Sequence, residues 1–211
     1  MFKLGLIIPS SNTTMEPEFY RMLPNDFTVH TARLRLKKVT VKDLAKMEKD
    51  IDKEAIKLAD AGVDVIGYGC TSGSLFRGLG HDRMIEEKIE KVSGKPAVAT
   101  SGAVVNALEK EFLEANGFKV VDLKGLGLSD NMLIGRIDEQ TAIKLVTSLK
   151  HENADGVFIS CTNFPTIRII QKLEDMLKKP VISSNTATLW LMLRKLAIST
   201  KIKGYGKLLE L

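Results

Sequence analysis

Twice in this chain an apolar run of strand type stops at Cys-Thr and passes straight into a helical pattern. The first is Val63-Asp-Val-Ile-Gly-Tyr-Gly-Cys70-Thr-Ser-Gly-Ser74, and the second is Asp155-Gly-Val-Phe-Ile-Ser-Cys161-Thr-Asn-Phe-Pro165. A short, continuous apolar run bounded by turn residues marks a strand buried on both faces, the kind found in parallel sheets. Parallel neighbours cannot be joined by a tight hairpin and need a crossover, usually a helix. The rest of the chain supplies that alternation. Strands are expected at residues 3–9, 27–36, 63–69, 96–99, 118–122, 156–160 and 180–183. Helices are expected from Thr13 to Leu23, Thr40 to Gly62, Asp82 to Val92, Ser101 to Glu114, Asp138 to Lys150, Pro165 to Leu177 and Thr186 to Leu196. The first of these starts at Thr13 and Glu16, which fit a capping box. The pattern predicts an α/β protein of two pseudo-symmetric doubly wound (Rossmann-like) lobes with parallel sheets and the active site between them. Residues 1–95 form the N-terminal α/β lobe and 96–183 the C-terminal α/β lobe, with the last helix, in 184–211, packing back on the first.

Ligands of parallel folds bind beyond the carboxyl ends of the strands, where helices begin. The chain has two cysteines, Cys70 and Cys161, and both occupy that position. Either thiol alone reads as a small buried hydrophobe. Matched placements, each beside hydroxyls at a helix start, favour two acid/base or nucleophilic groups facing one small substrate. A helix N-terminus lowers a thiol's pKa. Its N–H groups, with Thr71, Ser72, Thr162 and Asn163, form a cradle for carboxylate oxygens. Ser10, Ser11 and Asn12 are a third set of donors, with plain helix capping as the alternative. Arg77 and Arg168 are candidate anion contacts, with ordinary surface arginines as the alternative. Gly67-x-Gly69-x-x-x-Gly73 misses the dinucleotide fingerprint by one residue in its last spacing.

The net charge of +5 does not make a nucleic-acid protein, because the lysines alternate with acids along amphipathic helices. The run Arg33-Leu-Arg-Leu-Lys-Lys38 alternates as the solvated face of a strand does, with a polyanion site as the alternative. No apolar run approaches the length of a transmembrane helix, and the first residues lack the features of a signal peptide, so the cytoplasm is the expected compartment. His30, His81 and His151 are isolated and the cysteines show no C-x-x-C spacing, so no metal is expected.

Four motifs carry a resemblance. Gly5-x-x-x-Pro9-Ser-Ser-Asn12-Thr-Thr-Met-Glu16, Cys70-Thr-Ser-Gly-Ser74, Gly125-x-Gly-x-Ser-Asp-Asn131 and Ser160-Cys-Thr-Asn163 closely resemble maleate cis-trans isomerases. These are kin of arylmalonate decarboxylases within the aspartate/glutamate racemase superfamily. The resemblance runs in register over nearly the whole chain. Two cysteines with the Pro-Ser-Ser-Asn turn fit the isomerase branch, whereas the decarboxylase branch resembles this pattern with the second cysteine alone.

The resemblance implies that the Cys70 thiolate adds to a double-bond carbon of maleate, giving a succinyl-cysteine-like intermediate. Rotation and elimination then yield fumarate, with Cys161 handling the proton. It implies carboxylate binding by Asn12 and Asn131 beside Ser10, a cradle lined by Thr71, Ser72, Thr162 and Asn163, and no cofactor. The expected partners are a small dicarboxylate and, in a homo-oligomer, further copies of the chain, with no nucleic acid and no membrane. An amino-acid or hydantoin racemase using two cysteines, a related decarboxylase and a binding module without chemistry stay open. One departure stands out. The family's strand ending in Thr-Pro-Tyr has no counterpart between Ala103 and Phe112, and the tyrosines present are Tyr20, Tyr68 and Tyr205. The second lobe is then a strand short, so a segment of about 10–25 residues is expected to be missing between Val105 and Glu111.

Overall fold

Leu4, Leu6 and Ile8 leave the first strand on one side and Ile7 on the other, and all four are fully buried. Such a strand belongs inside a sheet covered on both faces. A computed structural model describes residues 1–100 and 106–211, the side chains of 106–109 apart, and places this strand at the centre. β1 (Phe2–Pro9) leads through α1 (Met15–Met22) to β2 (Phe27–Leu34), then through α2 (Val41–Glu48) and α3 (Ile51–Asp60) to β3 (Val65–Tyr68). The chain continues through α4 (Thr71–Leu75) and α5 (His81–Ser93) to β4 (Ala97–Ala99). These strands form one parallel sheet in the order β2-β1-β3-β4, with Leu4 opposite Val65 and Ile66 opposite Ala97. After α6 (Asn106–Ala115), α7 (Asn131–Ile134) and α8 (Glu139–Thr147), β5 (Val157–Ile159) pairs in parallel with β6 (Val181–Ser183) across α9 (Ile170–Leu177). α10 (Ser184–Lys195) follows β6 directly.

The two faces of the first sheet have separate cores. Ile7, Ile66 and Tyr68 pack with Leu44 and Met47 of α2, Ile51 and Leu58 of α3, and Ile85 and Ile89 of α5. Leu4, Leu6, Ile8 and Val65 pack with Met15 and Phe19 of α1 and Leu189, Met192 and Leu193 of α10. The last helix therefore packs against the first sheet. Close packing also explains one glycine, since a Cβ on Gly69 would collide with the Met15 sulfur. The glycine run there admits side chains rather than a pyrophosphate.

Three local expectations change. Residues 97–99, expected to open the second lobe, extend the first sheet instead, because the α5 crossover returns the chain beside β3. The helix after Thr40 is two helices, since Lys49 and Asp50 donate to Lys46 and Met47 in tight i to i−3 turns. Residues 118–122 form no strand; Phe118 is 64% exposed, and without a neighbouring strand nothing holds it extended. The expected omission between Val105 and Glu111 falls where residues 101–105 lie outside the described part and α6 runs from Asn106 to Ala115. Among the described residues the second sheet has two strands and β5 a neighbour on one side only. No described helix is long and apolar enough to cross a membrane.

Candidate active site

The turn after β1 is organised by Asn12, which is 1% exposed. Its Oδ1 accepts from the N–H groups of Thr14 and Met15, each at 3.0 Å. Asn12 therefore caps α1, and the Thr13–Glu16 capping box does not form; Glu16 instead pairs with Arg33 at 2.5 Å. Asn12 Nδ2 donates to Thr162 Oγ1 at 3.0 Å, and Thr162 Oγ1 donates to the Gly69 carbonyl at 2.9 Å. The carboxyl ends of β1, β3 and β5 are thus tied at one point.

Both cysteines lie at that point. Cys70 is the N-cap of α4, and its Sγ accepts from the Gly73 N–H at 3.3 Å. Burial nevertheless pushes the thiol up to about 12; the Gly73 N–H works against this and Cys161 adds to it. The helix start alone does not give the thiolate expected from sequence, because the sulfur is cut off from water. Cys161 has φ 94, the left-handed region that a side chain makes costly and that collects at functional sites. Its N–H donates to Ser184 Oγ at 3.0 Å, and Asn185 Nδ2 donates to the next carbonyl, that of Thr162, at 3.1 Å. Neither cysteine forms a disulfide.

One pocket brings Cys70, Thr71, Ser72, Cys161, Thr162, Asn12 and Asn131 together, with Pro9, Leu36 and Val39 completing its wall. None of these residues carries a charge. Thr71 Oγ1 is buried without a hydrogen-bond partner. Two predicted site residues stand behind the wall. Ser10 Oγ bonds to the backbone of Leu36. Asn163 spends its amide on the Thr13 N–H and on the carbonyls of Asn131 and Ser11, so it stitches three segments together. Arg77 pairs with Glu48 and Arg168 faces Glu139, both away from the pocket. The sequence reading missed Leu36 and Val39. Leu36, like Leu34, is a buried member of the Arg33–Lys38 alternation, and that is the signal that marked it. Their loop is pinned by the Val39 N–H to the Ser129 carbonyl at 3.3 Å. The remaining free volume is about 10 Å3, room for about one water.

The arylmalonate decarboxylase family matches the chain over residues 4–111 and 109–209. The chain belongs to this family. It is 32% identical to the maleate isomerase of Geobacillus stearothermophilus over 244 residues, covering 99% of this chain and 97% of that protein. Similarity to the maleate isomerase of Pseudomonas putida (strain KT2440) is 31% over 244 residues, covering 100% and 98%. The crystal structure of a cysteine-to-alanine variant of the maleate isomerase Iso from Pseudomonas putida S16 with maleate superposes with a TM-score of 0.94. Identity there is 30%, covering 99% of this chain and 97% of that one. A match of 244 positions to a chain of 211 residues leaves internal positions of the relatives without a counterpart. The family match breaks at 109–111, inside the window where a segment is expected to be missing.

Proposed function

We propose that this protein isomerises a small cis-dicarboxylate of the maleate type to its trans form, without a cofactor, through a thiolate adduct on Cys70. The observation that carries the reading is two cysteines lining one uncharged pocket at the strand ends. Full-length similarity to maleate isomerases at 31–32% identity supports it. In this reading the Cys70 thiolate forms an S–C bond to one double-bond carbon, and the electron pair moves toward the far carboxylate. The Cys161 thiol protonates the neighbouring carbon, which leaves a succinyl-cysteine. The former double bond now rotates freely. Cys161 takes a proton back as the C–S bond breaks, and both thiols return to their starting state. Neutral donors hold the carboxylates: the second amide N–H of Asn12 and of Asn131, the unpartnered Thr71 hydroxyl and Ser72. Thr162 and Asn163, with their polar atoms engaged, shape the cradle. The substrate enters by displacing Leu36 and Val39, since the closed pocket is smaller than any dicarboxylate.

The racemase alternative needs an acceptor for a substrate ammonium, and no carboxylate lines the pocket among the described residues. Proton NMR of purified protein with maleate tests the proposal: fumarate should appear, whereas loss of carbon dioxide from an arylmalonate would indicate the decarboxylase. In D2O, aspartate and glutamate should keep their α-protons; α-deuteration would make the chain a racemase. Cys161→Ser should lower the isomerisation rate about 100-fold or more, the usual worth of a positioned acid/base. A small loss would hand the proton transfer to solvent. Two lobes meeting at this pocket, a cytoplasmic location and a homo-oligomeric assembly belong to the same reading, and sedimentation equilibrium checks the last.

A further inference from the structure

A thiolate at Cys70 has to be stabilised against burial, and the Gly73 N–H alone leaves the thiol high. The structure holds a second donor beside it. Tyr68 at the end of β3 is fully buried, and its Oη has no hydrogen-bond partner. An unpartnered buried hydroxyl is costly. Tyr68 and Cys70 are two residues apart on extended backbone, with Cys70 at φ −138 and ψ 95, so their side chains leave the same side of the chain. Both belong to the core between the sheet and α2. Gly73 shows where they meet. A Cβ there would collide with Tyr68 Oη and lie 3.1 Å from Cys70 Sγ, so the phenol oxygen and the sulfur converge on the bare face of one glycine.

We propose that Tyr68 is the hydrogen-bond donor held in reserve for the Cys70 thiolate. The proposal rests on the reading of Cys70 as nucleophile. A neutral thiol is a weak acceptor and does not draw the phenol in, whereas a thiolate makes a charge-assisted O–H···S bond. The Cys70 proton passes to water in the pocket, and Tyr68 keeps its own. Burial, with Cys70 and Glu48 nearby, holds the phenol well above its ordinary value, so it acts as donor and not as acid. The titratable groups facing the pair are Glu48 from α2 and Cys161 across the pocket, and Glu48 in turn faces His81 at the start of α5. Glu48 is balanced by Arg77 at 2.9 Å and lies 3.7 Å from His81 Nε2.

Tyr68→Phe removes the oxygen alone. The rate of Cys70 alkylation by iodoacetamide, resolved from Cys161 by peptide mass spectrometry, should fall about 10- to 100-fold at pH 8, the worth of one charge-assisted hydrogen bond. The alkylation profile should move to higher pH, and kcat for maleate should fall with it while KM changes little. The unfolding midpoint should hold or rise, since an unpartnered hydroxyl is lost. 3-Fluorotyrosine at position 68, a stronger donor of nearly the same shape, should move the profile to lower pH. A profile that neither substitution moves overturns the proposal, whether or not the wild type isomerises maleate. A profile that moves in a protein inactive on maleate supports the tyrosine's role and overturns only the choice of substrate.

Discussion

Cys70→Ser is expected to abolish isomerisation, by roughly 10000-fold or more as for loss of a catalytic nucleophile, while leaving the fold as stable as before. The two halves of that expectation come from different atoms. Oxygen in place of sulfur stays protonated in a buried pocket at any workable pH, so no nucleophile forms. The structural duty of the sulfur is to accept the Gly73 N–H and cap α4, and a serine hydroxyl is among the better N-caps. Fumarate formation by NMR and the thermal midpoint measure the two separately. Wild-type turnover in this variant would remove Cys70 from the mechanism. A collapsed midpoint would mean that the sulfur packs among Tyr68, Met47 and Ile66 more than it caps.

Strand ends were readable wherever a buried apolar run met a helix start, because that pattern follows from burial on both faces and needs no knowledge of partners. This located both cysteines, and Asn12 with them. What failed were the features decided by distant neighbours. Residues 118–122 have strand composition, but a strand exists only beside another, and none among the described residues reaches that segment. Thr13 and Glu16 fit a capping box, yet Asn163 Oδ1 takes the Thr13 N–H and Arg33 takes Glu16. Ser10 and Asn163 have the donors of a carboxylate cradle, and the structure spends those donors on holding loops together. The helix start at Cys70 is real, but its pull on the thiol is outweighed by desolvation, a term that depends on the whole surrounding pocket.

Glu18 is the residue that sequence could least reveal, and Glu18→Ala should be the most destabilising single change at the site. It lies on α1 and is 5% exposed. Its Oε1 accepts from the N–H groups of Thr166 at 2.7 Å and Ile167 at 3.1 Å, and its Oε2 from Asn185 Nδ2 at 2.7 Å. The partners are 148 to 167 positions away in sequence, so no local pattern announces them. Removing the carboxylate strands three buried donors at once, at a cost of about 3–5 kcal/mol, or roughly 10 °C in midpoint for a chain of this size. The loss should also reach the chemistry. Asn185 carries the Thr162 carbonyl on the same amide nitrogen, and its neighbour Ser184 holds Cys161 at its left-handed φ, so the maleate rate should fall with stability. The pH dependence has a definite sign. Burial raises the folded-state value of Glu18 above the ordinary 4.5 despite its hydrogen bonds, so the folded state binds the proton more tightly than the unfolded one. Its titration therefore favours the fold fully below the unfolded value, and that stabilisation is lost as pH rises through the folded one. Urea melts of wild type and Glu18→Gln across that range should show the wild type losing ground to the non-titrating variant with rising pH. Parallel curves, or a Glu18→Ala midpoint equal to wild type, would mean that α1 and the Cys161 turn are held together by packing alone.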